Sequence, residues 1–134
     1  MIQQMHFDPR LDFHDASMYG LDLTLQARER GLRVVYQPAA VVVNASAPRD
    51  PSLDRDDRIA RTFSYSRNYS LIASRHLNGF RLVAFWLWWL LIGERGSYGL
   101  ATGMVDLVLG RTRPSAIVSA LKGKLAGARL WLGE

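Results

Sequence analysis

The chain is 134 residues long, 49% hydrophobic and 22% charged. That suits one globular domain and excludes a disordered tail or a collagen-like repeat. It holds no cysteine, which excludes disulfides, thiolate metal sites and cysteine nucleophiles, and its net charge of +5 is carried by the back of the chain.

Residues 1–57 carry six Arg against nine Asp/Glu, and residues 58–134 carry nine Arg and two Lys against three Asp/Glu. An acidic front and a basic, apolar back imply two jobs in one chain. The back can meet anionic lipid, phosphorylated substrates or nucleic acid.

Met1-Ile2-Gln3-Gln4 lacks a basic n-region and runs into His6-Phe7-Asp8, so no signal peptide is read there. Asp8-Pro9 marks a turn. Ser17 is placed to cap a helix of about residues 18–30, with Leu21, Leu25 and Arg28 on one face and Gly31 as its stop. Residues 33–36 and 40–43 are β-branched runs split by Gln37-Pro38, and both predict buried strands. Residues 45–57 form a polar loop with two prolines.

Helices dominate from there. Asp54 or Asp56 can cap the first, which runs to about His76 with Ile59, Phe63 and Ser66 as one stripe, ended by Asn78-Gly79. A second covers about 80–92. Gly93, Gly96 and Gly99 punctuate a loop, and a third helix fits 100–109. The fourth follows Pro114 to about Leu132, with Ile117, Leu121, Leu125 and Leu132 as its apolar stripe. The longest uncharged apolar run is Leu82–Ile92, eleven residues, whereas a transmembrane helix needs about 20.

Three strings in the front half carry more than composition. They are Phe7-Asp8-Pro9-Arg10-Leu11-Asp12-Phe13-His14, Tyr19-Gly20-Leu21-Asp22 through Arg28, and Gly31-Leu32-Arg33-Val34-Val35-Tyr36-Gln37-Pro38-Ala39-Ala40-Val41. In this order they resemble the end of the catalytic domain of bacterial family 2 glycosyltransferases, over about residues 6–46. Arg67-Asn68-Tyr69, Arg75-His76-Leu77, Gly103-Met104-Val105-Asp106 and Gly110-Arg111 are similar to the helical tail of many such enzymes.

The resemblance implies an α/β fold class: a C-terminal fragment of a GT-A-type fold, with one short helix and two short strands, then a mostly helical tail. Residues 1–46 would end the catalytic domain, 47–57 form the loop, and 58–134 make a tail that associates with a membrane surface. The family moves a sugar from a nucleotide-sugar to a glycan or lipid-linked acceptor, with a divalent metal (Mg or Mn) on the donor diphosphate. Two positions depart from its pattern: the family usually has an acid where Gly20 stands, and often a His where Asn44 stands. Asp54-Arg55-Asp56 matches an Asp-x-Asp in letters but lies in the proline-bearing loop, and no Walker or Gly-x-Gly-x-x-Gly pattern occurs. The chain therefore looks like the C-terminal piece of a glycosyltransferase (a truncated frame, a split gene or a remnant, with a separate N-terminal half as one possible partner), and neither donor nor metal is expected to be held tightly by this chain alone.

By this resemblance Asp22 is the candidate catalytic acid, with His14 and Asp15 as replacement bases, and Tyr19 and Arg28 on the substrate side. No metal-ligand set is read. Arg67, Arg75 and Arg81 mixed with Tyr65, Tyr69 and His76 could stack and pair with nucleic acid, but no such binding motif is present and a solvated basic face is favoured. Trp86, Trp88 and Trp89, flanked by Arg81 and Arg95, read either as a membrane-surface helix or as a buried hairpin helix. The expected place is the cytoplasmic side of the inner membrane, peripherally bound. A non-catalytic membrane-surface or partner-docking module derived from a glycosyltransferase is the alternative.

Overall fold

A computed structural model describes residues 5–11, 18–39, 57–94 and 96–133. A 3-10 turn, Pro9–Leu11, precedes helix α1, Tyr19–Glu29. Helices α2, Arg58–His76, and α3, Gly79–Leu91, follow. Strands β1, Gly93–Glu94, and β2, Ser97–Tyr98, form a small antiparallel ribbon with Gly93 opposite Tyr98. Helices α4, Leu100–Val108, and α5, Pro114–Leu132, complete the chain. The described residues are thus mostly helical with one two-stranded ribbon.

Local chemistry explains the helix ends. Asp57 caps α2, its carboxylate accepting from the backbone of Ile59 at 2.8 Å and Ala60 at 3.0 Å. The expected caps Asp54 and Asp56 lie outside the described residues, and Asp57 takes the role because it directly precedes the first helical residue. Likewise α1 starts after Met18, which makes no side-chain cap. Pro114 opens α5, where its missing N–H costs nothing.

The spine is α2 against α5. Ser119 Oγ donates to the Ile59 carbonyl at 2.7 Å. Further along, a Cβ on Gly123 would fall 2.4 Å from the Phe63 carbonyl oxygen, and one on Gly127 would fall 2.3 Å from that of Arg67. These three contacts advance together along both helices, so the two run parallel, with backbones closer than any side chain allows. The buried face of α5 is therefore Ser119, Ala120, Gly123, Lys124 and Gly127. This corrects the expected Ile117–Leu121–Leu125–Leu132 stripe: Leu125 and Leu132 are exposed. Leucine cannot enter so narrow a crossing, and α2 meets it with serine, Ser66 opposite Gly123 and Ser70 opposite Gly127.

The apolar core is small and draws on both halves of the chain. Leu11, Leu71 and Ile72 are its buried members, with Tyr19, Leu25, Leu130 and Trp131 packed around them. The expected strand at residues 33–36 is not formed. Residues 32–37 have no regular structure, and Val34, Val35 and Tyr36 are exposed, Tyr36 by 87%. A strand exists only when a neighbour satisfies its backbone groups, and no described segment lies beside this one. The second expected strand, 40–43, lies outside the described residues.

Candidate functional site

The resemblance points to Asp22, and the structure gives it definite partners. It sits in the first turn of α1, where the helix dipole favours an acid. Only 1% of it is exposed. One carboxylate oxygen lies 2.8 Å from His76 Nε2, and the other accepts from Gln26 Nε2 at 2.7 Å. The opposite nitrogen of His76, Nδ1, lies 2.7 Å from Glu29 Oε1. Both ring nitrogens of His76, the last residue of α2, face carboxylates. Asp22 thus bolts α1 to α2 and is not turned toward an open cleft.

A second clasp joins the N-terminal segment to the same helix. Asp8 accepts from Arg75 Nη1 at 2.7 Å and from Arg10 Nε at 3.0 Å. Burial alone would raise the Asp8 carboxyl, but the Arg10 hydrogen bonds and the Arg75 charge outweigh it and hold it below its usual value. Arg67 Nη1 donates to the Arg10 carbonyl at 2.8 Å, and Asn68 Nδ2 to that of Leu11 at 2.9 Å. Arg67 and Arg75 are therefore structural ties, not the solvated basic face that composition suggests.

Tyr19 is half-buried, its ring edge-on to Phe7 at 5.3 Å. Arg28 is exposed on α1. Gly20 is exposed, and a Cβ there would meet nothing within 4 Å. His14, Asp15 and Asn44 lie outside the described residues, as does Arg95. Among the described residues no three His, Cys, Asp or Glu side chains gather as a metal site. Asp22, His76 and Glu29 pair with one another through hydrogen bonds, and the resemblance places the divalent cation with the donor-binding half.

The Trp-rich helix divides its tryptophans. Trp89 is 0% exposed, and its indole donates to Ser70 Oγ at 2.8 Å. Trp86 is half-buried and its indole donates to Ser74 Oγ at 3.2 Å. Trp89 is therefore a core residue, a correction to its expected membrane-surface role: the serines of α2 supply the acceptor its N–H needs when buried. Trp88 and Arg81 remain exposed.

What the outer face of α3 presents is mainly apolar, with Phe80 and Trp88 among aliphatic side chains. Phe80 and Val108 are each 84% exposed. Val83, Leu87, Leu90 and Leu91 continue the α3 face at helical spacing, and Met104 and Val105 join Val108 on α4. No helix among the described residues is long and apolar enough to cross a membrane.

Lys124 explains how the buried side of α3 is held. It is fully buried on α5, and its Nζ donates to the carbonyls of Trp89 and of Tyr98, the latter at 2.8 Å. The Trp89 ring lies 4.3 Å away as a cation–π partner. Burial pushes the ammonium down to about 8, partly offset by the Glu94 charge. In sequence Lys124 is one of the basic residues of the back half, and nothing local announces its burial against α3 and β2. No protein-family model, curated protein or solved structure matches the chain.

Proposed function

We propose that this chain is the membrane-held, acceptor-side part of a family 2 glycosyltransferase-like protein. It would serve transfer of a sugar from a nucleotide-sugar to a glycan or lipid-linked acceptor, with a separate N-terminal half of GT-A type binding the donor and its metal. The chemical part of this reading rests on the ordered strings of residues 6–46. The observation that carries the membrane part is the exposed apolar surface of α3 and α4. Exposed apolar area of this extent marks an interaction surface. Two short helices presenting such a face suit the headgroup boundary of a bilayer better than its span.

Vesicle co-sedimentation tests the membrane part. The wild-type chain is expected to sediment with phosphatidylcholine vesicles. The Phe80→Glu/Val108→Glu variant is expected to lose that binding at least about tenfold, since each buried apolar side chain contributes about 1.5–3 kcal/mol. Equal binding by both would overturn the reading. Isothermal titration tests the division of labour: micromolar nucleotide-sugar binding by this chain alone would refute it.

One observation favours the alternative, a non-catalytic docking module. Asp22 is already paired with His76 and Gln26, and Gly20 has no side chain to act as a base. Because a Cβ at Gly20 meets nothing, Gly20→Asp can be made without a clash. Transfer activity of Gly20→Asp/Asn44→His, mixed with a donor-binding half, separates the two readings. A gain supports the enzyme part, and no gain supports the docking module.

A further inference from the structure

A cleft of about 1030 Å³ opens between the start of α2, the β1–β2 ribbon, and the connection from α4 into α5. Four arginines line it: Arg58 and Arg61 from α2, and Arg111 and Arg113 from the connection. Thr112 and Ser115 add hydroxyls. Two acids share the lining, so its formal charge is +2, and both accept hydrogen bonds. Asp57 caps α2, and Glu94 accepts the hydroxyl of Tyr65.

The arginines make no close ion pair with either acid. Among the described residues, Arg58, Arg61 and Arg113 have no carboxylate partner within salt-bridge distance. Arg111 has only Asp106, at 3.9 Å, while its side chain stays largely exposed. Four arginines lining one concave space, with Thr112 and Ser115 beside them in sequence and in the lining, suit an oxyanion. Arginine and phosphate pair through charge-assisted, often bidentate hydrogen bonds.

The cleft also has an apolar neighbour. Val108 and Leu109 at the end of α4 are exposed, and Gly110–Arg113 of the cleft wall follow directly. Three residues of chain span at most about 11 Å, so Arg111 stands within that distance of Val108. A ligand whose anion entered the cleft could lay an aliphatic chain along the α3–α4 face.

We propose that this cleft binds a phosphate group, and that its place beside the apolar face assigns the phosphate to a lipid headgroup. The inference deepens the membrane reading and rests on it for the lipid source alone; phosphate recognition rests on the cleft.

The test compares vesicles of equal surface charge, one set carrying phosphatidic acid and the other oleate in a phosphatidylcholine background. The full chain is expected to prefer the phosphatidic acid vesicles about tenfold. Arg58→Gln/Arg113→Gln should remove the preference, whereas Arg33→Gln/Lys122→Gln, which loses the same charge from exposed positions elsewhere, should keep it. No preference in the wild type, or equal loss in both variants, overturns the proposal and leaves only general charge attraction. If the chain binds no vesicle of any kind, the membrane reading fails separately. Titration with inorganic pyrophosphate then decides: binding lost in Arg58→Gln/Arg113→Gln upholds the phosphate site with a soluble ligand, and no binding overturns it.

Discussion

The α2–α5 interface and the α3–α4 outer face invert the usual arrangement of a water-soluble protein. The interface is made of glycine and serine, Gly123 and Gly127 of α5 against Ser66 and Ser70 of α2. The outer face is phenylalanine, valine, leucine and methionine. Burial is ordinarily dominated by apolar side chains. Here the interior is held by close backbone approach and by satisfied polar groups; no buried side-chain N or O among the described residues lacks a partner. The difference teaches that hydrophobic burial within this chain is incomplete, and that the second apolar surface is left for something outside it.

The largest effect should come from forcing the interface apart. A Cβ on Gly127 would fall 2.7 Å from the Ser70 Cβ as well as 2.3 Å from the Arg67 carbonyl oxygen. Gly127→Leu is expected to destabilise by about 3 kcal/mol, the upper range for overpacking, read as a lowered urea midpoint. Gly20→Ala is the matched control, since its Cβ enters open space. Exchange of Gly for Ala in an exposed helix should stabilise by up to about 1 kcal/mol. A Gly127→Leu variant as stable as wild type would mean the helices are not in this register.

Next in size is the bolt between α1 and α2. His76→Leu leaves the Asp22 carboxylate buried with Gln26 as its remaining side-chain partner. Breaking one side of a buried pair costs about 3 kcal/mol, and the loss should appear as faster amide exchange across α1. His76→Gln, which can still donate one hydrogen bond, should lose less. If Asp22 were instead poised for catalysis, Asp22→Asn would abolish transfer with stability unchanged.

How far the sequence speaks differs between these two regions. The tail helices are legible because their signals are local: Asn78-Gly79 after α2, three glycines around the ribbon, Pro114 at the start of α5. The faces those helices bury are not, because burial depends on which partner arrives. Leu121 and Leu125 look like a core stripe until α2 comes too close for leucine. His76 reaches Asp22 across 54 residues of chain, and nothing within either helix announces that pair. Residues 33–36 have strand-forming composition, but a strand also needs a neighbour, and propensity alone does not supply one.

Within α3 the comparison narrows to adjacent residues. Trp89 faces α2 and is fully buried, whereas Trp88 stands exposed on the outer side. Brominated phosphatidylcholine quenches tryptophan on contact, so it should quench Trp88 and spare Trp89. Trp88→Phe is expected to remove most of the vesicle-dependent quenching while leaving thermal stability within about 0.5 kcal/mol of wild type, as for surface substitutions generally. Quenching that survives Trp88→Phe and vanishes in Trp89→Phe would put the opposite face of α3 against lipid.

The finest distinction concerns the buried amine of Lys124. Lys124 titrates near 8 in the folded chain against 10.5 when exposed. Below about pH 8 the amine is charged in both states, and the folded protein carries the cost of burying an ammonium. Between about 8 and 10.5 the unfolded chain binds the proton and the folded chain does not, so stability from this group rises with pH. The slope is about 1 kcal/mol per pH unit. Tyr65, which burial and Glu94 push upward, acts in the opposite sense at higher pH, so the measurement must be a difference. Urea midpoints of wild type and Lys124→Met, taken from pH 7 to 10, should show wild type gaining on the variant as pH rises. A constant difference would mean that the two backbone carbonyls and the Trp89 ring fully compensate the buried charge. The interior of this protein would then be as well suited to a cation as water is.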